Sequence, residues 1–239
     1  MSIPLFGRGG FRGRTELAPL VPVPHTDRQR ALTHMAASIL LEYPTAGNLA
    51  KYPVVAGALD DLPRQIATRL RGFLDHAEQA GPDALAQQYV TTFDLKRKCT
   101  LYLSYFLTGD TRKRGMALVS FLAAYKACGY ELDANELPDY LPVLLEFSAV
   151  GDAKVAGVLL SAHREGLEVL REALTSIESP WAEVVAAVIC TLPRVNATTR
   201  KRVLDLIAGG PPMEMVGLDA MGPLEPQAVA AAAVGKDER

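Results

Sequence analysis

Apolar side chains recur at helical spacing along most of this chain. Leu32, Met35, Ala36, Ile39 and Leu40 form one stripe, which predicts a helix with one buried face. Thr26 to Gln29 precede it in the S/T-x-x-E/Q pattern, where hydroxyl and amide satisfy each other's orphan backbone donors, and Pro44 closes it. A second stripe, Ile66, Leu70, Phe73, Leu74 and Ala77, stops at Gly81, and a third follows Pro82 through Leu85, Tyr89 and Phe93. Leu118, Phe121, Leu122 and Tyr125 mark the next helix, with Asp110 or Thr111 as its N-cap and Gly129 as its terminator. Asp152 opens a long stretch through Val155, Val158, Leu159, Leu167, Leu170 and Leu174, with a bend expected near His163. Ser179-Pro180 opens another, with Pro180 at the first helical position and Trp181, Val184, Val185, Val188 and Ile189 as its buried face, and Pro193 ends it. A last helix is expected from Thr198 to Ala208. Only LYLSYF, at 101–106, alternates well enough to resemble a strand, and its helical flanks outweigh that.

The pattern therefore predicts an all-α, single-domain helical globule of about nine or more helices, without internal repeats. Residues 1–25, rich in glycine, arginine and proline, read as a flexible leader; 26–208 as the helical domain; 209–239, rich in Gly, Pro, Ala and Met, as a mostly mobile tail.

Composition narrows the function classes. Hydrophobic residues at 49% and charged residues at 22% allow a sizeable core. A net charge of −2 gives no global field to recruit nucleic acid or an acidic membrane. One local exception runs from Asp94 to Arg114, where Lys96, Arg97, Lys98, Arg112, Lys113 and Arg114 face only Asp94 and Asp110. Phe93, Tyr102, Tyr105 and Phe106 are interleaved there, which is compatible with a nucleic-acid groove or with core helices that have basic ends. The slightly acidic chain favours the second reading, so Arg112, Lys113 and Arg114 are kept as a basic patch and no nucleic-acid partner is expected. No run of 18 apolar residues appears, and MSIPLFGRGGFRGR lacks the apolar stretch of an export signal. With three widely spaced cysteines, Cys99, Cys128 and Cys190, a reducing cytoplasmic setting and no direct membrane insertion are expected.

Catalytic patterns are hard to find. GRGGFRGR has glycines but no preceding strand, and no GxSxG elbow occurs. His25, His34, His76 and His163 never pair at ligand spacing and read as surface or boundary residues; Cys99, beside Lys96 to Lys98, reads as a small residue at a helix start or as a thiol of lowered pKa. No enzyme activity, metal or cofactor is expected. The remaining segment of interest is Glu136-Leu137-Pro138-Asp139-Tyr140-Leu141-Pro142. Two prolines restrict its backbone before any partner arrives. Glu136 and Asp139 can accept hydrogen bonds from a peptide, and Tyr140 offers a flat contact, unless the segment is simply a helix N-terminus.

YVTTFD (89–94), LYLSYF, GDTRKRG, FLAAYKACG and ELPDYLPVLLEF occur in that order. Together they resemble the NarJ branch of the redox-enzyme maturation chaperones, the wider group that includes the TorD and DmsD types. The resemblance covers about residues 30–195. It implies an all-helical chaperone that catalyses nothing and binds the N-terminal peptide of the apo α subunit of respiratory nitrate reductase. It further implies that the client is held for molybdenum cofactor and iron–sulfur insertion and for membrane docking, without the chaperone joining the finished enzyme. The E-x-P-D loop of the family maps onto Glu136, Pro138, Asp139 and Tyr140, with Leu141 beside it, while Tyr89, Phe93 and Asp94 match the other signature. Leu141, Leu144, Leu145 and Phe121 are candidates for an apolar groove or for plain core. Tyr140 stands where TorD-like members usually carry histidine, which favours the NarJ type over a TorD/DmsD-like chaperone for another molybdoenzyme; a molybdenum cofactor or nucleotide carrier is the other alternative.

Overall fold

The structure, a computed structural model, describes residues 20–108, 112–133 and 136–194. Among these, eleven α-helical segments follow one another: α1 (Asp27–Leu41), α2 (Ala46–Leu49), α3 (Tyr52–Ala58), α4 (Arg64–Ala80), α5 (Pro82–Tyr89), α6 (Leu103–Thr108), α7 (Arg112–Ala127), α8 (Leu141–Val150), α9 (Ala153–Ala162), α10 (Arg164–Thr175) and α11 (Trp181–Thr191). The chain is an all-α globule, as its periodicity predicts. LYLSYF resolves both ways: Tyr102 makes one antiparallel bridge to Tyr140, and α6 starts at the next residue. The expected N-cap at Asp110 or Thr111, the helix at 198–208, the glycine-rich leader and the tail from 209 lie outside the described residues.

Local signals act where the sequence places them. Thr26 and Gln29 complete both halves of the capping box of α1. Gly129, at φ 69°, ends α7 with bonds from Gly129 N to Lys126 O and from Tyr130 N to Tyr125 O, the paired pattern that closes a helix through a left-handed residue. The expected bend is a break at His163, which ends α9 and begins α10.

Helix α11 is the centre. Every residue from Trp181 to Thr191 is buried except Glu183, because α1, α4 and α10 surround it. α1 lies between α11 and α8, and α9 packs on α8. The rings of Phe73, Tyr89 and Phe93 stand 5.3–5.6 Å from Trp181.

The last turn of α1 carries no cation to meet its free carbonyls. Distant side chains serve instead: Asn48 Nδ2 donates to Ile39 O (2.9 Å), Trp181 Nε1 to Leu40 O (2.9 Å) and Tyr89 Oη to Leu41 O (3.0 Å). This ties α5 and α11 to the point where the chain leaves α1.

Residues 20–25, read as part of the leader, are held to the body. Val23 N donates to Cys190 O (2.8 Å), and the buried Arg164 donates to Leu20 O (2.8 Å) and Ile189 O (3.0 Å). Arg164 also reaches the carbonyls of Leu192 and Pro193. One guanidinium thus gathers both ends of the described chain, and its five fixed donors suit that task.

Two of the four histidines correct the surface-or-boundary reading. His34 is fully buried between Ser148 Oγ and Thr191 Oγ1, both at 2.7 Å. His163 is buried against the Phe121 ring, with Nδ1 donating to Leu159 O at 2.8 Å.

Candidate functional site

The segment from Glu136 to Leu141 is an elbow with two unlike sides. Its inner side is sealed. Pro138, Asp139 and Leu141 are buried, and Tyr125 Oη donates to Pro138 O at 2.7 Å. Leu103 N donates to Asp139 O (3.0 Å) and Leu141 N to Leu101 O (2.9 Å), so the elbow is latched to the start of α6 by two backbone rungs. Asp139 Oδ2 accepts from Ser104 N (3.1 Å) and from Ser104 Oγ (2.5 Å). Ser104 is the second residue of α6, so Asp139 caps that helix from 35 residues away, placing a carboxylate at its positive end. Of the two readings the sequence left open, Asp139 thus sits at a helix N-terminus, that of α6 instead of its own α8. Leu141, Leu144, Leu145 and Phe121, candidates for a groove, are all fully buried and belong to the core.

The outer side is open. Glu136 is exposed and Tyr140 half-buried, and both line a cleft of about 510 Å³ with Glu42, Tyr43, Thr45, Tyr130, Glu131, Leu132, Asp133, Val143 and Glu146. Three stretches build it. The α1–α2 connection supplies Glu42, Tyr43 and Thr45, the α7–α8 connection supplies Tyr130, Glu131, Leu132, Asp133 and Glu136, and Tyr140, Val143 and Glu146 follow at three-residue steps along the outer ridge of α8.

Five carboxylates and three phenol rings line this cleft, and among the described residues no lysine or arginine does. The Glu42 carboxyl is pushed above its ordinary range chiefly by burial, against the pull of Lys51, with Glu146 and Glu136 adding smaller upward pushes. Burial pushes the Tyr140 hydroxyl up to about 12, so it stays a neutral hydrogen-bonding group. That hydroxyl lies 3.2 Å from Tyr89 Oη, which donates to Leu41 O, so the cleft floor is fixed to the end of α1.

The structure thus separates the residues singled out from sequence. Glu136 and Tyr140 share the cleft. Tyr89 is buried directly behind it, its ring edge-on to Tyr43 at 5.4 Å. Phe93 packs on Trp181 and Tyr89 instead. Asp94 is exposed at the end of a single π-helical turn, Val90–Asp94, and does not line the cleft. Arg114 lies with its guanidinium carbon 5.6 Å from the Tyr102 ring centre, and Tyr102 in turn stands 5.4 Å from Tyr140. The side chains of Arg112 and Lys113 lie outside the described residues. Cys99 is buried, and burial raises its thiol against the opposing pull of Lys96, so the lowered-pKa reading fails.

Sequence reasoning missed Glu42, Tyr43, Tyr130, Glu131, Asp133 and Glu146. A signal existed for part of this set: the stretch from Tyr130 to Tyr140 holds four acidic residues and no basic one.

A family model described as nitrate reductase delta subunit matches residues 58–187. A probable nitrate reductase molybdenum cofactor assembly chaperone, NarJ, of Bacillus subtilis is 32% identical over 172 residues, covering 72% of this chain and 92% of that protein. A nitrate reductase-like protein, NarX, of Mycobacterium tuberculosis is 37% identical over 155 residues, covering 65% of this chain and 23% of its own length. The NarJ chaperone of Escherichia coli K12 is 37% identical over 116 residues, and this chain spans about half of it, 49%.

Proposed function

Since the chain belongs to the nitrate reductase delta subunit family, we propose that it is a NarJ-type assembly chaperone acting in the cytoplasm. Its client is the apo α subunit of nitrate reductase, held through its N-terminal segment while cofactor and clusters are inserted. Among the described residues no helix is long and apolar enough to cross a membrane.

The observation that carries the reading is the cleft beside Tyr140. Its excess of carboxylates over a floor of phenol rings suits a peptide whose lysine or arginine side chains meet Glu42, Glu131, Asp133, Glu136 and Glu146. The aromatic floor takes the apolar face of the same peptide, which an amphipathic helix presents naturally. The same sign opposes a phosphate-bearing cofactor in this cleft, which favours peptide capture over the cofactor-carrier alternative. Glu136 and Tyr140 keep the client role that sequence assigned to the elbow. Pro138, Asp139 and Leu141 serve it indirectly, by fixing where those two side chains stand.

Calorimetric titration with a synthetic peptide of the α-subunit N-terminus tests this. Saturable binding is expected, weakened about tenfold, or ~1.4 kcal/mol, by Glu136→Gln or Glu146→Gln without change in far-UV circular dichroism. Affinity unaltered in both variants would remove the cleft from the mechanism, and no binding by the unmodified chain would remove the client.

A further inference from the structure

Helix α7 has apolar residues on both faces. Inward, Phe121 and Tyr125 pack on His163 and Phe147. Outward, Met116 and Val119 are 59% and 62% exposed, with Leu122 beside them at 37% and Leu107 of α6 at 41%. Met116, Val119 and Leu122 follow at three-residue steps on one side of the helix, so the exposed side chains form a stripe. A monomer that leaves such a stripe bare exposes a surface of the kind that marks an interaction site. The helix is also basic: Arg112, Lys113, Arg114 and Lys126 are its only charged residues.

Within this chain the segment from Pro211 to Val234 matches that face in both respects. It carries Met213, Met215, Val216, Leu218, Met221, Leu224, Val229 and Val234 together with Glu214, Asp219 and Glu225, and has no lysine or arginine. Methionines of this density adapt to irregular apolar surfaces, and the carboxylates complement the cations of α7.

The exit of the described chain lies on the appropriate side. Arg164 holds the carbonyls of Leu192 and Pro193 at the start of α10. Two residues on, Gly166 lies so close to α6 that an added Cβ would stand 2.9 Å from Phe106 Cβ. Leu107, the first member of the exposed patch, is the next residue. With the helix expected at 198–208, the 16 residues from 195 to 210 still reach roughly 33 Å, against a radius of gyration of about 16 Å expected for a body of this size. Reach is therefore no obstacle.

We propose that the C-terminal segment, residues 211–234, docks in cis on the outer face of α7, covering Met116, Val119 and Leu122. This contact is independent of the client cleft, which α7 does not line.

Digestion of the full-length chain with a protease specific for glutamate tests it, read at the Glu214–Met215 bond. Val119→Glu places a repelling charge on the face and is expected to speed cleavage at Glu214 about tenfold, with faster amide exchange along α7. Lys126→Glu, outside the apolar stripe, should give a smaller change in the same direction, and raised salt should speed cleavage of the unmodified chain. Val54→Glu, at an exposed apolar position on α3, should change nothing. Equal cleavage of the unmodified chain and both α7 variants overturns the proposal. Protection that fades on dilution together with a dimer in sedimentation also overturns it, since the face would then belong to a second copy.

Discussion

Two polar clusters hang on α8, four residues or fewer apart, and they behave in opposite ways. Ser148 faces inward, where it stands between Arg30 and His34. Arg30 Nη1 donates to Ser148 O (3.0 Å) and Oγ (2.9 Å), while His34 bridges Ser148 Oγ and Thr191 Oγ1. Thr191 Oγ1 itself donates to Val188 O, so it accepts from His34 Nε2 and leaves Nδ1 to accept from Ser148. Donors and acceptors match around the ring, water is excluded, and α1, α8 and α11 are locked in one register. Glu146 faces outward, into a cleft whose charges share one sign. A sealed polar cluster specifies a fold because each partner is already present; the open cluster gathers like charges at the surface, where the proposed client would meet them.

Breaking the sealed cluster should have the largest effect. His34→Ala removes a buried ring and leaves hydroxyls unpaired, which should cost about 3 kcal/mol of stability, read as a fall in the urea midpoint. Acid should reach the same cluster. Burial, then the nearby Arg30 charge, lowers the His34 pKa to about 3 from 6.5. The unfolded chain therefore takes up a proton that the folded chain refuses, so this stability is complete above pH 6.5 and declines as pH falls toward 3. The slope of the urea midpoint between pH 7 and pH 4 should flatten in His34→Ala.

The open cluster should respond least, and in the other direction. Glu42 titrates above the ordinary range because its ionised form is disfavoured in the folded chain. Glu42→Gln should thus leave stability unchanged or slightly higher at pH 7. Its advantage should vanish in acid, once Glu42 is protonated anyway. A loss of stability in Glu42→Gln at neutral pH would show that the cleft has an internal partner after all.

Much of the architecture was legible because it depends on neighbours in sequence. The capping box at Thr26 and the stop at Gly129 involve residues within five positions of each other, and apolar spacing is a local property. The elbow was legible as a rigid unit, but its division into two sides was not. Asp139 reads as a surface acid until Ser104 is brought to it by the Tyr102–Tyr140 bridge. His34 reads as a boundary residue until Ser148 and Thr191 meet it from positions 114 and 157 residues away. Glu42 and Glu146 carry no sign of a shared cleft, since nothing in a one-dimensional pattern relates the end of α1 to the outer ridge of α8.

What the chain determined on its own is the longer amphipathic helices, several of their ends and the acidic character of the stretch from Tyr130 to Asp139, because propensity, capping and charge act over one or two turns. Tertiary packing alone decided which carboxylate became a buried helix cap and which faced the cleft. The same group is a structural anchor when burial removes its water and supplies a donor, and stays open to a partner when it remains wet among charges of its own sign.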